Sequence, residues 1–205
     1  QTIGDEESRR KIRDLDSAQT ASGMILRDNV YGDINEDAAR RDFTINALYY
    51  TTRGFLVLDF ANGLHDLEQG LIRMIGDPET RYREDPVRLL RAIRFSAKLG
   101  FDIEQQTQEP MDRLAGLLDS ISPARLFDES LKLLIGGDAE VTYALLRKSR
   151  IGNHLFPETM ASTTDSNAPD SLLVELAMRN TDERLAAGKS ITPAFLYAAL
   201  LWPPL

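Results

Sequence analysis

The sequence predicts an α+β fold in which a small mixed portion precedes a long run of helices. Arg53-Gly54 is a turn signal between two strand-like segments, 43–52 and 55–59, and this pattern predicts a β-hairpin. After about residue 76 the signals become helical, with a proline just inside three helix starts, at Pro86, Pro123 and Pro193. We therefore expect the strands before residue 76 and helices alone after it.

Other segments fill in this outline. Residues 1–23 are polar and carry no apolar period, so we expect a mobile leader there. Residues 34–41 have helix-forming composition, and residues 160–170, rich in Ser, Thr, Asp and Asn, are interpreted as a flexible linker. Arg125 and Glu129 have the i,i+4 spacing of a helical ion pair, and we expect them to pair.

Composition limits the class of protein. With 205 residues and 42% hydrophobic residues, the chain can bury a core of one or two domains. It has no cysteine, which excludes disulfides, thiolate zinc sites and cysteine nucleophiles. No window approaches about 18 uninterrupted apolar residues, so we expect a cytoplasmic protein with no membrane partner.

The charge of the chain is unevenly distributed. The net charge of −8 is unusual for a nucleic-acid-binding protein. Between residues 71 and 100, however, seven Lys or Arg residues face four acids, which makes this stretch net +3. A local basic face can attract phosphates although the whole chain repels them.

The helix predicted from Pro86 to Gly100 carries most of these cations. At about 100° per residue, Leu89, Ala92 and Ile93 fall on one face, and the opposite face carries Arg88, Arg91, Arg94 and Lys98. Asp85, the predicted N-cap, lies one turn before Arg88. A carboxylate and a guanidinium so placed can offer an acceptor and a planar donor fork to a base edge. The alternative is a solvated amphipathic helix with a capping aspartate.

A second polar motif lies at the junction between residues 34–41 and the first predicted strand. It contains Arg40, Arg41, Asp42 and Asn46. Two cations, a carboxylate and an amide in this position could meet a triphosphate and its metal ion. Alternatively, Asp42 and the arginines pair among themselves and serve structure alone.

These two motifs occur in this order, joined by residues 59–73, which read Asp-Phe-Ala-Asn-Gly-Leu-His-Asp-Leu-Glu-Gln-Gly-Leu-Ile-Arg. The combination resembles the bacterial tRNA nucleotidyltransferase and poly(A) polymerase family over residues 23–157. Three flanking segments resemble its poly(A) polymerases more than its CCA-adding enzymes: residues 23–32, Tyr49-Tyr50 and residues 122–129.

The resemblance implies a fold and an activity. Residues 1–75 would be the C-terminal part of a polymerase-β-like nucleotidyltransferase head, truncated and including the leader. Residues 76–157 would be a helical neck, and residues 158–205 the start of a helical body. The intact protein would transfer AMP from ATP to RNA 3′ ends, as a polynucleotide adenylyltransferase. CCA addition to tRNA and a non-catalytic helical RNA-binding module are the alternatives.

The resemblance also implies roles for single residues. Asp85 and Arg88 would contact the base, with Arg91 and Arg94 assisting at the nucleotide. Arg40, Arg41 and Asn46 would help to hold the nucleotide in the head. Asp42 would match a third active-site carboxylate.

The implied cofactor is Mg²⁺, and the implied partners of the monomer are ATP and RNA 3′ ends. In the family, an Asp-x-Asp pair that follows a glycine-rich segment holds the metal ions. We expect that pair upstream of this chain, because Asp14-Leu15-Asp16 lacks the preceding glycines. We accordingly expect no metal ligands in the 205-residue chain and no activity from it alone.

Overall fold

The computed structural model describes residues 17–19, 25–28, 33–166 and 168–203. Its strands are Ser17–Gln19 (β1), Ile25–Asp28 (β2), Leu48–Thr51 (β3), Leu56–Asp59 (β4), Leu71–Ile72 (β5) and Asp102–Ile103 (β6). Its α-helices are Ile34–Arg40 (α1), Gly63–Gln69 (α2), Pro78–Glu84 (α3), Val87–Leu99 (α4), Gln105–Gln108 (α5), Met111–Leu114 (α6), Pro123–Leu134 (α7), Ala139–Lys148 (α8), Arg150–Leu155 (α9), Pro157–Ser162 (α10), Pro169–Ala186 (α11) and Pro193–Leu201 (α12). Two 3₁₀ segments occur at Thr44–Asn46 and Ala115–Ser120.

The predicted hairpin is confirmed, but its first strand is shorter than expected. Strands β3 and β4 pair antiparallel, with Leu48 opposite Asp59. The segment before β3 is not strand, because Phe43 forms an isolated bridge with Met74 and residues 44–46 form a 3₁₀ turn. Phe43 is completely buried, so the chain turns inward there before the hairpin begins.

A short parallel pair corrects the expectation of helices alone after residue 76. Strand β6 pairs with β5, Leu71 opposite Asp102 and Ile72 opposite Ile103. A strand of two residues is too short to show an alternating pattern, and its partner lies about thirty positions away. The pair ties the end of the arginine helix α4 to the segment that precedes α3.

Two loop predictions also need correction. Within the predicted leader, Ser17–Gln19 is strand β1 and pairs with β2, whereas the rest of 1–23, including Asp14 and Asp16, lies outside the described residues. The predicted linker 160–170 is largely ordered by packing. Met160 belongs to α10 and to the core, and buried Thr163 bonds to the carbonyl of Thr159.

Most of the predicted helix boundaries are confirmed, but the predicted N-cap of α4, Asp85, is wrong, because Asp85 is the C-cap of α3. Pro123 and Pro193 are the first residues of α7 and α12. Gly100, with φ of 66°, ends α4 in the left-handed region that favours glycine. Pro86 occupies the N-cap of α4 instead of its first turn, while Oδ1 of Asp85 accepts a hydrogen bond from the Val87 N–H at 3.3 Å.

Helix α4 lies at the centre of a hydrophobic core. Leu89, Leu90 and Ile93 are buried there with Phe43 of the head segment and Tyr143 of α8. Helix α4 packs against both α7 and α8. The arginine helix is therefore covered on more than one side. Among the described helices, none combines the length and the apolar composition that crossing a membrane would need.

Candidate nucleotide-binding site

Arg40 and Arg41 are held at the end of α1 by an acid of the same helix. Nη2 of Arg41 lies 2.8 Å from Oδ2 of Asp37, and Nη2 of Arg40 lies 3.8 Å from its Oδ1. Tyr49 of β3 donates to the same carboxylate, and hydrogen bonds from Tyr49 and Arg41 lower the pKa of Asp37. The partner of these two arginines is therefore Asp37, and the alternative that they pair with Asp42 is wrong.

Asp42 points into the protein and is 7% exposed. Its Oδ1 accepts hydrogen bonds from the Phe43 N–H at 2.9 Å and from Asn46 Nδ2 at 3.0 Å. Its Oδ2 accepts one from Arg91 Nε at 2.5 Å. Burial by itself raises the pKa of this carboxyl, but the hydrogen bonds from Arg91 and Asn46 outweigh burial and hold the pKa below its ordinary value. Asp42 is thus an ionised bridge between the head motif and helix α4.

This arrangement bears on the magnesium ion that the family resemblance implies. Hard divalent cations need several carboxylate or carbonyl oxygens that converge on one point. Among the residues that the structure describes, no three Asp, Glu or His side chains form such a group. Both oxygens of Asp42 already accept from nitrogen donors. The described residues therefore do not fit a magnesium site.

Arg88 departs most from expectation. It was expected on an exposed polar face, yet it is 8% exposed. Its Nη1 donates to the carbonyl of Arg81 at 2.7 Å and to Oε2 of Glu84 at 3.0 Å. The helical period divides a helix into a buried and an exposed face, but α3 ends just before α4 begins, and its Arg81 and Glu84 accept the hydrogen bonds of Arg88.

The later cations of α4 remain more accessible. Arg91 and Arg94 both lie over the Phe95 ring, with Cζ at 5.3 Å and 5.0 Å from its centroid. The side chain of Arg94 makes no hydrogen bond or ion pair to the residues that the structure describes. Lys98, one turn further on, is exposed.

Asp85 has a partner that spacing did not reveal. Nη2 of Arg125, in α7, donates to its Oδ2 at 2.8 Å. The predicted pairing of Arg125 with Glu129 is therefore wrong, and Glu129 instead accepts from Lys132 at 2.7 Å. The i,i+4 rule applies to neighbours on one helix, so it could not predict a contact with an acid 40 positions away.

Sequence reasoning also missed Arg81, in α3. Its Nη2 donates to the carbonyls of Arg40 and Arg41, both at 2.8 Å, and so joins α3 to the end of α1. In the sequence, nothing distinguishes Arg81 from Arg83 two positions later. The difference comes from the fold, since Arg83 is exposed and pairs with Glu79.

The segment that connects the two motifs has its own polar framework. Asp59 accepts hydrogen bonds from the N–H groups of Gly63 at 2.9 Å and Leu64 at 3.0 Å, which satisfies the free donors at the start of α2. Gly63 lies against the 3₁₀ turn of the head motif. A Cβ at this position would lie 2.2 Å from the carbonyl oxygen of Thr44, so only glycine fits.

A buried acid bonds to the 3₁₀ turn of the head motif. Asp66, fully buried, accepts from Thr44 Oγ1 at 2.7 Å and forms an ion pair with Arg73 Nε at 3.0 Å. Arg73 also reaches Glu104, beyond β6, at 3.2 Å. This network fixes the head motif against the segment that leads into the helices.

Comparisons with known proteins agree with this architecture. Residues 2–73 match the family described as Poly A polymerase head domain. Residues 100–162 match the family described as Probable RNA and SrmB-binding site of polymerase A. The chain is 52% identical over 190 residues to Poly(A) polymerase I of Escherichia coli, covering 92% of this chain and 41% of the relative.

CCA-adding enzymes are also similar to the chain. The CCA-adding enzyme of Leuconostoc mesenteroides is 45% identical over 122 residues, which cover 60% of this chain and 30% of the relative. The crystal structure of the Bacillus stearothermophilus CCA-adding enzyme in complex with CTP is 27% identical with a TM-score of 0.58, covering 90% of this chain and 46% of that one.

The chain has the α+β fold of the nucleotidyltransferase class, with residues 2–73 matching the head domain and helices following it. The chain belongs to the bacterial tRNA nucleotidyltransferase and poly(A) polymerase family. It spans less than half the length of the relatives that it matches.

Proposed function

We propose that the intact protein is a template-independent RNA nucleotidyltransferase that transfers AMP from ATP to RNA 3′ ends. The similarity to Poly(A) polymerase I over most of the chain supports this activity. We propose Mg²⁺ as its metal, held by residues other than those that the structure describes. We further propose that it acts as a cytoplasmic monomer, divided into head, neck and body near residues 75 and 157.

The observation that carries the proposal is the bond between Arg91 and Asp42. This bond joins helix α4 to the head motif. The two groups of residues that would bind the nucleotide therefore belong to one packed site. Within that site, Arg40, Arg41 and Asn46 would hold the nucleotide in the head. Guanidinium groups suit this task because their planar donor forks match phosphate oxygens.

Asp85 and Arg88 would read the adenine base without losing their present partners. Arg88 uses only Nη1 toward Arg81 and Glu84, which leaves Nε and Nη2 as further donors. Each carboxylate oxygen of Asp85 accepts one bond, and a carboxylate oxygen can accept two. An acceptor and a donor one turn apart would then meet complementary groups on the base edge.

Arg91 and Arg94, both half-buried, would assist at the nucleotide. The family resemblance implies that Asp42 is a third active-site carboxylate, and that role stays a prediction. Its contacts favour a supporting task, because Arg91, Asn46 and the Phe43 N–H already occupy it.

CCA addition to tRNA is the alternative that the comparisons also support, through matches that cover less of the chain. A non-catalytic RNA-binding module remains the alternative from a different class. The two are separated from polyadenylation by the products that form.

The test uses the intact protein with Mg²⁺, each of the four nucleoside triphosphates, and two primers. One primer is an unstructured RNA, and the other is a tRNA that lacks its terminal CCA. We expect long adenosine tails on both primers with ATP and little incorporation of the other nucleotides. Addition of two C and one A to the tRNA alone would establish the alternative enzyme. RNA binding without incorporation would indicate the non-catalytic module. The 205-residue chain is tested beside it, and we expect no incorporation from that chain alone.

A further inference from the structure

Arg81 occupies an unusual position between the two nucleotide motifs. Its side chain is only 12% exposed, although it carries a full charge. Nη2 donates to the carbonyls of Arg40 and Arg41, and Nη1 donates to Oε2 of Glu84 at 2.6 Å. One guanidinium therefore donates hydrogen bonds both to the backbone of the nucleotide-holding arginines and to a carboxylate of its own helix.

The same carboxylate oxygen also serves Arg88. Nη1 of Arg88 donates to Oε2 of Glu84 at 3.0 Å and to the carbonyl of Arg81 at 2.7 Å. A short chain of contacts thus runs from Arg88 through Glu84 and Arg81 to the carbonyls of Arg40 and Arg41. Every link in it is a charge-assisted hydrogen bond, the strong and directional kind.

The burial of these charged groups costs free energy, so the cluster is not explained by stabilisation of the fold alone. Burial, together with the nearby charge of Arg88, lowers the pKa of Arg81. Nε of Arg81 is buried with no hydrogen-bond partner among the described residues. Unsatisfied buried donors are uncommon and each needs an explanation. Two guanidiniums that share one acid are better explained by a requirement for fixed geometry than by stability.

We propose that Arg81 is a positioning residue, which fixes the base-reading Arg88 relative to the nucleotide-holding segment at Arg40 and Arg41. The proposal rests on the proposed nucleotidyl transfer and adds a specificity-determining residue to it. A base that bonds correctly to Arg88 leaves Glu84 and Arg81 in place, and the backbone at residues 40–41 stays where the nucleotide is held. A base that draws Arg88 away disturbs the same contacts.

Arg81 contacts both sides of the site, because its Nη2 bonds to the carbonyls of Arg40 and Arg41 and its own carbonyl accepts from Arg88. Loss of Arg81 should therefore weaken ATP binding and reduce base discrimination together. A residue that only stabilised the fold would lower the amount of active protein and leave the preference for ATP over CTP unchanged.

The experiment compares Arg81→Met, Arg81→Lys and Arg83→Met in the intact protein, well below the melting temperature of each. Arg83→Met is the matched control, since it removes an exposed arginine from the same helix, two positions away. For Arg81→Met we expect kcat/KM for ATP to fall about 10–100-fold, mainly through a higher KM, and the ATP-to-CTP ratio to fall at least about 5-fold. Arg81→Lys keeps the positive charge but loses the planar donor fork, so its kcat/KM for ATP and its ATP-to-CTP ratio should lie between those of the wild type and of Arg81→Met. Arg83→Met should stay within about twofold of the wild type in both quantities.

An unchanged ATP-to-CTP ratio in Arg81→Met, or an equal effect of Arg83→Met, would overturn the proposal. If Arg81→Met does not fold, Arg81→Lys and Glu84→Gln decide, because the first keeps the positive charge, the second keeps the shape of the side chain, and both should lower the ratio. A wild type that adds CCA would refute polyadenylation, yet the ratio would still test Arg81. A wild type that incorporates nothing would refute transfer itself, and equilibrium ATP affinity of Arg81→Met against Arg83→Met would then decide the role of Arg81.

Discussion

Arg91 and Asp42 lie 49 positions apart in the chain, and Arg91 Nε donates a hydrogen bond to Asp42 Oδ2 at 2.5 Å. Asp42 is almost fully buried, whereas the Arg91 side chain is 32% exposed. The carboxylate therefore depends on the guanidinium more than the guanidinium depends on the carboxylate. This asymmetry leads to a prediction about the two partners.

Removal of the cation should destabilise the protein more than removal of the acid. Arg91→Met leaves a buried carboxylate with only Asn46 and the Phe43 N–H as donors. We expect the free energy of unfolding to fall by about 1–3 kcal/mol, less than for a fully buried pair because Arg91 is partly solvated. Asp42→Asn lets Arg91 turn toward water, and we expect a loss of about 1 kcal/mol or less. Urea unfolding at neutral pH measures both, and a larger loss in Asp42→Asn would contradict this asymmetry.

The same pair predicts a dependence on acid. The folded pKa of Asp42 lies below its ordinary value, since the bonds from Arg91 and Asn46 outweigh burial. A lowered folded pKa gives stability that is fully present above the unfolded pKa of about 3.9 and is lost as the pH falls through the folded value. The stability difference between wild type and Arg91→Met should therefore be constant near neutral pH and shrink as the pH falls through about 4. Urea unfolding across a pH series tests this, and a difference that grows in acid would refute it.

The glycine of the connecting segment gives a steric prediction. Gly63→Ala would bring Cβ to 2.2 Å from the Thr44 carbonyl oxygen, so α2 must move away from the head motif. We expect a loss of about 2 kcal/mol or more. Gly136→Ala is the matched control, because its Cβ would meet only the Lys132 carbonyl at an ordinary 3.5 Å. Thermal unfolding compares the two, and equal melting temperatures would contradict the close approach at Gly63.

Local signals predicted the features that depend on local structure. The helix start at Pro123, the end of α4 at Gly100 and the hairpin around Arg53-Gly54 each follow from a few neighbouring residues, and all are confirmed. The apolar face of α4, with Leu89 and Ile93, follows from the helical period and is buried as expected.

The errors occur where distant segments meet. The helical periodicity of α4 predicted an exposed position for Arg88. Periodicity takes no account of a neighbouring helix, and residues of α3 contact Arg88. The partner of Asp85 is Arg125, in another helix, and the grip of Arg81 on residues 40–41 spans about forty positions. Strand β6 is two residues long and exists only through pairing with β5. Each feature depends on tertiary packing, which a single sequence does not display.

The buried position of Arg88 changes what its removal should do to stability. Arg88→Ala removes one of the two hydrogen bonds at the Arg81 carbonyl and one of the two at Glu84 Oε2, in a covered site, so we expect a loss of about 1–3 kcal/mol. Leu89→Ala, at a fully buried core position of the same helix, should lose about 2–5 kcal/mol. Urea unfolding of the intact protein measures both. An Arg88→Ala protein as stable as the wild type would indicate that Arg88 is solvated after all.

These two variants together test the central claim, that helix α4 reads the nucleotide. The measurement is the ratio of kcat/KM for ATP to that for CTP in the intact protein, at a temperature where both variants are folded. A site whose buried polar groups match one base leaves those groups unpaired with another, so the loss of Arg88 should remove discrimination. We predict that Arg88→Ala lowers kcat/KM for ATP by about one to three orders of magnitude and shrinks the ratio, while Leu89→Ala leaves the ratio at its wild-type value. An Arg88→Ala protein that retains both ATP use and the preference for ATP would contradict the claim.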